Sequence, residues 1–529
     1  MKLLRTNTFW IILSLMFLGL ILRLYAFSAI TFGYDQARDA LIAANLWNGD
    51  LKILGPTSDI HGLHHGALYW YLISPFYHFS QNNVYVVKLF MIFVGLFSIP
   101  LTYILAVKIF KKKSSALFAA FIIAVSYEVI QYSHWLSNPS FAFITIGLSF
   151  LFLWMYISEK FKYGLLFTAF FWGLSIQFEI FLLYQATVFF LILLVFKKLK
   201  VKDILLSGVV FLVTISPLIV AEIKFDFIAL HGIASFFTGY SESRGQTLSE
   251  MASRATNMLF KIPYNNLFSS SGVSVALLSL MFIVGAVNTV LLKDKRLFFL
   301  LLWFFSPVVL FFVGSTNIYF VFIGCSIPIS ILFAYYAGQI LSSQRKYIGF
   351  TILAALILGS NIYLLRDNDG KGESLFSVQT GMVYSSETQI LDYVYEEANG
   401  KPFRINTVTN PLFINSTWSY LFDSYGRKTY GYMPFYWGYP QNGQFGEEIK
   451  YSDHFKQEDK YLFLIMEPSG GIPDFITRGI IAFENSRSKV LEVKKIGEFT
   501  VEKRLITKDK PFLKTEVDEG IKDVNFKYE

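Results

Sequence analysis

The sequence predicts a mainly α-helical membrane protein with about eleven transmembrane helices, followed by a C-terminal α/β domain outside the membrane. Of its 529 residues, 54% are hydrophobic, 18% are aromatic and only 16% are charged, whereas soluble domains carry about 25% charged residues. The mean hydropathy is +0.47. After residue 366 the charge rises and the apolar runs shorten, which places the end of the membrane domain near residue 365.

The composition also narrows the function classes. The formal net charge of +8 does not indicate nucleic acid, because Lys and Arg cluster between apolar runs, where the positive-inside rule places them. Cys325 is the single cysteine and lies in an apolar run, so neither a disulfide framework nor thiol catalysis is indicated. The sequence contains no phosphate-binding loop, dinucleotide motif or serine-hydrolase elbow.

Each predicted span is an apolar run of about 20 residues. The first begins after Lys2 and Arg5 and continues to Phe27 without a small-residue cleavage site, so we interpret it as a retained span with a cytoplasmic start. The predicted spans are 8–27, 84–106, 115–131, 140–157, 163–178, 180–196, 203–222, 272–292, 297–314, 318–341 and 347–365.

The basic clusters orient these spans. Each follows an even-numbered span, so all lie on the side of the N-terminus, which the positive-inside rule makes cytoplasmic. This orientation requires a break at 177–179 within one long apolar stretch. The outer segments are then 28–83, 127–139, 177–180, 223–271, 315–317 and everything after 366. The loop 223–271 is long enough to be a lid, although a solvated loop is the simpler interpretation.

The outer loop 28–83 holds the main catalytic candidate. Asp35 follows the first span, with Arg38 and Asp39 close behind it. A carboxylate at the membrane boundary can accept a proton from an attacking group. The alternative is that Asp35 caps a helix that ends at Asn48 and Gly49, and that Arg38 and Asp39 form only a local ion pair.

The second half of this loop, 64–79, is aromatic and nearly uncharged, which predicts a helix lying in the membrane interface. His61, His64 and His65 stand near Asp59 and suggest a metal site. Glycines interrupt a helix here and no fixed zinc spacing is matched, so no metal ligands are assigned and a divalent metal stays open.

Other polar residues lie at the predicted outer boundary. Glu179 separates two spans, His134 precedes the fourth, Asn317 and Tyr319 begin the tenth, and Arg23 ends the first. Ionisable groups at membrane depth are functional candidates, although snorkelling to the interface fits Arg23. A carboxylate ringed by such groups would suit a lipid phosphate whose tail lies in the bilayer.

The C-terminal segment, 366–529, has shorter elements. The pattern predicts a helix over 387–400, a buried strand over 461–466, and a hairpin of 489–496 with 499–505. These elements indicate a small α/β domain on the outer surface.

Over residues 1–365 the chain resembles the lipid-dependent glycosyltransferases of the GT-C class, within the superfamily of protein O-mannosyltransferases and aminoarabinose transferases. Residues 33–39 (Gly-Tyr-Asp-Gln-Ala-Arg-Asp) match that family's acidic motif after the first span. Residues 65–71 (His-Gly-Ala-Leu-Tyr-Trp-Tyr) match its basic and aromatic motif, with Ala67 replacing a proline. Residues 137–139 (Ser-Asn-Pro) and 317–328 match two further segments.

Some positions depart from the family pattern. Gln36 stands where many protein O-mannosyltransferases carry Glu, and His134 and Asn317 stand where basic residues are common, which puts a protein acceptor in doubt. The Trp-Trp-Asp-Tyr-Gly motif of oligosaccharyltransferases is absent, which argues against transfer of a whole oligosaccharide.

The resemblance implies an inverting transfer from a polyprenyl-phosphate sugar to a lipid, glycan or protein acceptor. Asp35 would be the catalytic base, and His65, then His134, would stabilise the lipid phosphate. The implied substrate-binding residues are Arg38, Asp39, His65, Tyr69, His134, Glu179, Asn317 and Tyr319. The alternatives are a transporter or flippase of a lipid-linked sugar, for which the sequence shows no two-fold repeat, and a structural scaffold.

Overall fold

The computed structural model describes residues 7–58, 60, 62–238, 247–314, 319–341, 346–438 and 460–510. The chain forms two compact units. The first, called here the helical unit, comprises Met1–Tyr25, Gly49–Ile73 and Tyr85–Asp367. The second, the α/β unit, comprises Ala26–Asn48, Ser74–Val84 and Asn368–Glu529. The predicted outer loop 28–83 is therefore divided between the two.

Most of the chain before residue 368 is helical. Its α-helices are α1 Asn7–Leu24, α2 Tyr34–Asn45, α3 Leu68–Phe79, α4 Val84–Leu96, α5 Ser98–Phe110, α6 Lys113–Val125, α7 Tyr127–His134, α8 Pro139–Glu159, α9 Gly164–Phe178, α10 Gln185–Val195, α11 Val201–Thr214, α12 Ser216–Lys224, α13 Ile228–Thr238, α14 Leu248–Asn266, α15 Ser271–Leu291, α16 Lys295–Phe305, α17 Val308–Gly314, α18 Ser326–Ile340 and α19 Lys346–Asp367. Short 3₁₀ turns cover Leu46–Asn48, Ile180–Tyr184 and Tyr319–Phe322.

This is a polytopic membrane protein. Among the described residues, five helices are long and apolar enough to cross a bilayer: Asn7–Leu24, Val84–Phe110, Pro139–Glu159, Ser271–Leu291 and Tyr347–Asp367. Counting each bent helix pair as one span gives up to seven. The pairs α6–α7 and α11–α12 bend by 53° and 60°. The number of eleven spans stays a prediction.

The break predicted at 177–179 is present. Helix α9 ends at Phe178, and the Glu179 side chain caps the following 3₁₀ turn by accepting a hydrogen bond of 3.2 Å from the Phe181 amide. Across the break, Trp172 Nε1 donates to the Leu182 carbonyl at 3.0 Å. The long apolar stretch is thus two helices.

The residues before α3 differ from the prediction. The sequence predicted one helix over 64–79, but residues 64–66 form strand β2 (His64–Gly66), which pairs antiparallel with β1 (Leu54–Thr57), and α3 begins only at Leu68. The partner strand ends six residues before β2, outside the stretch 64–79 whose apolar pattern predicted the helix.

The α/β unit contains a five-stranded sheet. Its helices are α20 Tyr384–Ala398, α21 Ser416–Leu421, α22 Lys428–Tyr430 and α23 Asp474–Arg487, with a π-helical turn at Phe422–Arg427. Its strands are β3 Arg404–Val408, β4 Phe435–Tyr436, β5 Tyr461–Met466, β6 Ser488–Ile496 and β7 Phe499–Ile506. The order is β4-β3-β5-β7-β6; β3 runs parallel to β4 and β5, and β7 runs antiparallel to β5 and β6. The predicted helix, strand and hairpin are confirmed.

Part of the first loop joins this unit. Phe32 N donates to the Met382 carbonyl at 3.1 Å and Tyr384 N donates to the Ile30 carbonyl at 2.9 Å, while Thr31 and Val383 form an antiparallel bridge. A one-residue bridge therefore holds the segment before α2 against residues 382–384.

The predicted orientation gives a first test. Cys325 is buried, so the parent protein offers little reactive background. We expect Lys401→Cys, at an exposed position of the α/β unit, to react with a membrane-impermeant maleimide in intact cells. Lys111→Cys, at a side chain 70% exposed in a predicted cytoplasmic loop, is the matched control and should react only after lysis. The opposite pattern would contradict the orientation.

Candidate functional site

Helix α2 carries Asp35 in its first turn but does not use it as the cap. Gly33 is the N-cap, and its amide donates to Gln36 Oε1 at 3.1 Å. Asp35 is the second helical residue, so the capping interpretation is wrong. Only the general attraction between an acid and the helix N-terminus remains, and that does not account for the contacts of this carboxylate.

A buried guanidinium orients Asp35. Arg38 Nη1 lies 2.8 Å from Asp35 Oδ1, and Arg38 Nη2 lies 2.9 Å from Asp39 Oδ1. The side chains of Arg38 and Asp39 are 7% and 2% exposed, whereas that of Asp35 is 60% exposed. Burial alone would lower the pKa of Arg38, but the negative charges of Asp39 and Asp35 outweigh burial and raise this pKa above its usual value. The predicted ion pair between Arg38 and Asp39 is present. Arg38 also pairs with Asp35 and so orients its carboxylate, which faces solvent.

The entry to α2 is fixed by residues far along the chain. Thr31 N donates to Glu373 Oε2 at 2.7 Å, and Glu373 N donates to Thr31 Oγ1 at 2.7 Å. The Phe32 ring packs 5.2 Å from Tyr384 and 5.5 Å from Tyr420, between ring centroids. We call the reciprocal pair of Thr31 and Glu373 the α2 clamp. The clamp fixes the segment just before α2, and it therefore helps to fix the helix that carries Asp35.

In the helical unit, His65 and Glu179 lie together. His65 Nδ1 is 4.0 Å from Glu179 Oε1, and both side chains are buried. The Ile180 amide donates to the same Nδ1 at 3.2 Å. At 4.0 Å the approach of Nδ1 to Glu179 Oε1 is longer than a hydrogen bond. Gly66 beside His65 leaves room for the Gln177 side chain, which a Cβ at this position would displace.

His134 belongs to a second group. Its Nε2 donates to the Arg23 carbonyl at 2.6 Å. Arg23 is fully buried and donates through Nε to Ser133 Oγ at 3.0 Å and through Nη1 to the Ala124 carbonyl at 3.2 Å. The snorkelling interpretation of Arg23 is therefore wrong, because helices α6 and α7 supply acceptors that keep the guanidinium inside the protein.

Lys88 is a further buried cation that was not among the residues predicted from the sequence. It lies in α4, is fully buried, and its positive charge acts on the His134 imidazole together with that of Arg23. Arg23, Lys88 and His134 form what we call the basic cluster. The sequence signal for Lys88 was its position one turn inside the predicted span 84–106. Burying a lysine charge in an apolar helix has a high solvation cost, so such a residue is a functional candidate.

Tyr319 belongs to a third group, which surrounds Glu128. Glu128 is also a residue that was not predicted from the sequence. Glu128 accepts hydrogen bonds from Tyr319 at 2.6 Å, Ser326 at 2.8 Å and Asn266 at 2.8 Å. All four residues are buried. Glu128 was visible in the sequence as an acid inside the predicted span 115–131. Asn317 lies outside the described residues.

The aromatic stretch after His65 is mostly core. Tyr69 is 1% exposed and Trp70 is 4% exposed, while Tyr71 is 39% exposed. The Tyr69 ring lies 5.9 Å from that of Phe141, between centroids, and the Tyr71 hydroxyl donates to the Lys52 carbonyl at 2.9 Å. Of the three, Tyr71 is the aromatic residue accessible to a lipid.

The described contacts assign the candidates to the two units. Asp35, Arg38 and Asp39 lie together in the α/β unit; the helical unit holds His65 with Glu179, His134 in the basic cluster, and Tyr319 with Glu128. Within the part of the chain that the structure describes, no three His, Cys, Asp or Glu residues lie close enough to hold a metal ion. His61 and Asp59 are outside that part.

Neither a protein-family model nor a curated protein sequence matches this chain. Solved structures do. ArnT from Cupriavidus metallidurans in the apo state superposes with a TM-score of 0.57 at 10% identity, covering 93% of this chain and 97% of ArnT. ArnT bound to undecaprenyl phosphate gives 0.57 at 11% identity, covering 94% and 98%.

The Archaeoglobus fulgidus oligosaccharyltransferase in complex with Zn and sulfate gives a TM-score of 0.50 at 13% identity, covering 86% of this chain and 67% of that one. At these identities the likeness concerns the fold. The resemblance to the GT-C class that the sequence motifs indicated is confirmed at that level.

The α2 clamp gives a second test. Thr31→Val removes the hydroxyl that accepts from Glu373 N, and leaving a buried donor unpaired costs about 1–3 kcal/mol. We expect the amides of residues 34–45 to exchange hydrogen about tenfold faster or more. Thr388→Val removes only a local hydrogen bond to the Ser385 carbonyl and is the matched control. Unchanged exchange in α2 would show that the clamp does not hold this helix.

Proposed function

We propose that this chain is an integral membrane glycosyltransferase that moves a sugar from a polyprenyl-phosphate donor to an acceptor hydroxyl on the outer face of the membrane. The observation that carries this proposal is the exposed Asp35 carboxylate held by the buried Arg38. The fold shared with ArnT, which has been captured with undecaprenyl phosphate, supports a lipid-linked donor.

Asp35 has the features that a general base requires. Its carboxylate is accessible, so an acceptor hydroxyl can reach it, and Arg38 restricts its orientation. In the proposed step the hydroxyl proton moves to Asp35 while the hydroxyl oxygen attacks the anomeric carbon of the donor. The bond from that carbon to the phosphate oxygen breaks, its electron pair leaves with the lipid phosphate, and the configuration at the sugar inverts.

The leaving lipid phosphate gains negative charge and needs cationic or hydrogen-bonding groups. The helical unit offers two kinds of group. Lys88 is a buried ammonium, which interacts with a phosphate more strongly than an exposed one because nearby water screens it less. His65, buried beside Glu179, is the hydrogen-bonding candidate. Arg23 contributes a positive charge at a fixed position, because its guanidinium donates hydrogen bonds to Ser133 and to the Ala124 carbonyl.

The role of Asp35 gives a third test. Asp35→Asn keeps the side-chain volume and removes the charge and the basicity, so sugar transfer should fall by roughly 100-fold or more. Binding of undecaprenyl phosphate should be unchanged, because the base acts on the acceptor. The assay measures lipid phosphate released from labelled polyprenyl-phosphate sugars by purified protein.

Asp50→Asn is the matched control, because Asp50 is also exposed and also paired with a basic residue, Lys52, at 2.7 Å. Full transfer by Asp35→Asn would overturn the mechanism. Donor binding without any lipid phosphate release in the parent protein would instead favour a transporter or flippase.

Lys88 gives a fourth test. Lys88→Gln removes the buried charge and should raise the donor KM about tenfold or more, the range expected for a charge-assisted contact, with a parallel loss of undecaprenyl phosphate binding. The control is Lys108→Gln, which removes a lysine of the next helix that pairs with Glu159 at 2.6 Å. An unchanged donor KM would exclude Lys88 from the donor site.

A further inference from the structure

The α/β unit contains a cleft that the proposed transfer chemistry does not use. Its volume is about 540 Å³, within the range of roughly 300–1,000 Å³ typical of small-molecule sites. Val408 and Met466, the last residues of the parallel neighbours β3 and β5, line it. In sheets with parallel strands, ligands bind at the carboxyl ends of the strands, so the cleft lies where the topology favours a ligand.

One wall of the cleft is a buried carboxylate. Glu467 follows β5 and is 6% exposed. Its Oε1 accepts from Trp418 Nε1 at 3.0 Å, and its Oε2 accepts from the Asn410 amide at 2.8 Å and from Gln379 Nε2 at 3.2 Å. Donors from three separate segments therefore fix this carboxylate in one position, as a rigid binding site requires.

A second buried acid lies near enough to interact with Glu467. Glu387 on α20 is fully buried, and neither of its carboxyl oxygens has a hydrogen-bond partner among the described residues. Burial raises the pKa of Glu387 well above its usual value, and the charge of Glu467 raises it further. Burial also raises the pKa of Glu467, to about 7. Buried acids of this kind do not favour folding and cluster at functional sites.

The other residues that line the cleft indicate which class of ligand it binds. Among the described residues of the lining, Asp474 and Glu498 add carboxylates and Arg478 is the opposing charge. These acids outnumber the cation, so phosphates and other anions are disfavoured. The described residues offer no cluster suited to a metal ion. Hydroxyl and apolar side chains complete the lining: Thr380, Ser469, Thr477, Thr500, Val378 and Pro468.

This mixture fits a sugar ring. Carboxylates and hydroxyls pair with the many hydroxyl groups at the edge of a pyranose, and the apolar side chains can cover its C–H face. We propose that the cleft is a binding site for a neutral or amino sugar, distinct from the groups assigned to transfer. Glu467, Asp474 and Glu498 accept hydrogen bonds from its hydroxyl or ammonium groups.

Saturation-transfer NMR on the full chain in nanodiscs tests this site. The probes are methyl α-mannoside, methyl β-galactoside and glucosamine, with glucuronic acid as the anionic comparison. We expect signal from at least one neutral or amino sugar and weaker or no signal from glucuronic acid. The double variant Asp474→Asn with Glu498→Gln should weaken binding about tenfold or more. Both side chains are exposed, so folding should be preserved.

Glu492→Gln, at an exposed acid on β6, is the control and should bind as the parent does. Asp35→Asn should also bind sugar normally, so this result is separable from the fate of the transferase mechanism. The proposal is overturned if none of the three sugars gives a signal at its highest soluble concentration, if glucuronic acid is preferred, or if the double variant binds as tightly as the parent.

Discussion

The position of Asp35 depends on a guanidinium that is itself buried. Taking Arg38 out of water costs several kcal/mol unless its charge is compensated, and Asp39 at 2.9 Å provides that compensation from a position 2% exposed. Asp35 shares the same guanidinium from the solvent side. The buried pair is therefore the fixed part of the arrangement, and the exposed acid is oriented by it. Replacing Asp39 would disturb Asp35 indirectly, which makes Asp39 a poor control for the role of the base.

One loop of the α/β unit contacts both the segment before α2 and the Glu467 carboxylate of the cleft. Residues 371–384 include Glu373, which clamps Thr31, and Gln379, which donates to Glu467 at 3.2 Å and to the Pro468 carbonyl at 2.8 Å. One segment thus holds the start of α2 at one point and the carboxylate of the cleft at another. This gives the C-terminal segment a structural role in the arrangement of Asp35.

Local patterns in the sequence predicted several elements of the α/β unit. The helix that became α20, strand β5 and the β6–β7 hairpin follow from periodicity and turn residues, and the break at Glu179 follows from the distribution of the basic residues. The errors involve partners that the pattern of a single segment does not reveal. Residues 64–66 became a strand because β1 pairs with them, and Arg23 is buried because Ser133, 110 positions later, accepts its hydrogen bond. The place of Asp35 after the first span marks it as a candidate, whereas Lys88 and Glu128 each stand inside an apolar run, and their burial and contacts in the fold identify them.

Several polar residues in those runs have a structural reason to be there. A bent membrane helix leaves backbone groups that must find partners inside the protein. At the bend between α6 and α7, Ser126 Oγ accepts from Val129 N at 3.1 Å and Asn361 Oδ1 accepts from Tyr127 N at 2.7 Å.

Glu179 does the same for Phe181 N at the next break, and Tyr319 directs its hydroxyl to Glu128 within the core. For Ser126, Asn361 and Glu179 the helix breaks are a sufficient explanation of their polarity. Asp35 is different, because Gly33 and Gln36 already complete the start of α2 and its carboxylate is exposed. The need to satisfy backbone groups does not account for Asp35, which is why chemistry is the better explanation for it.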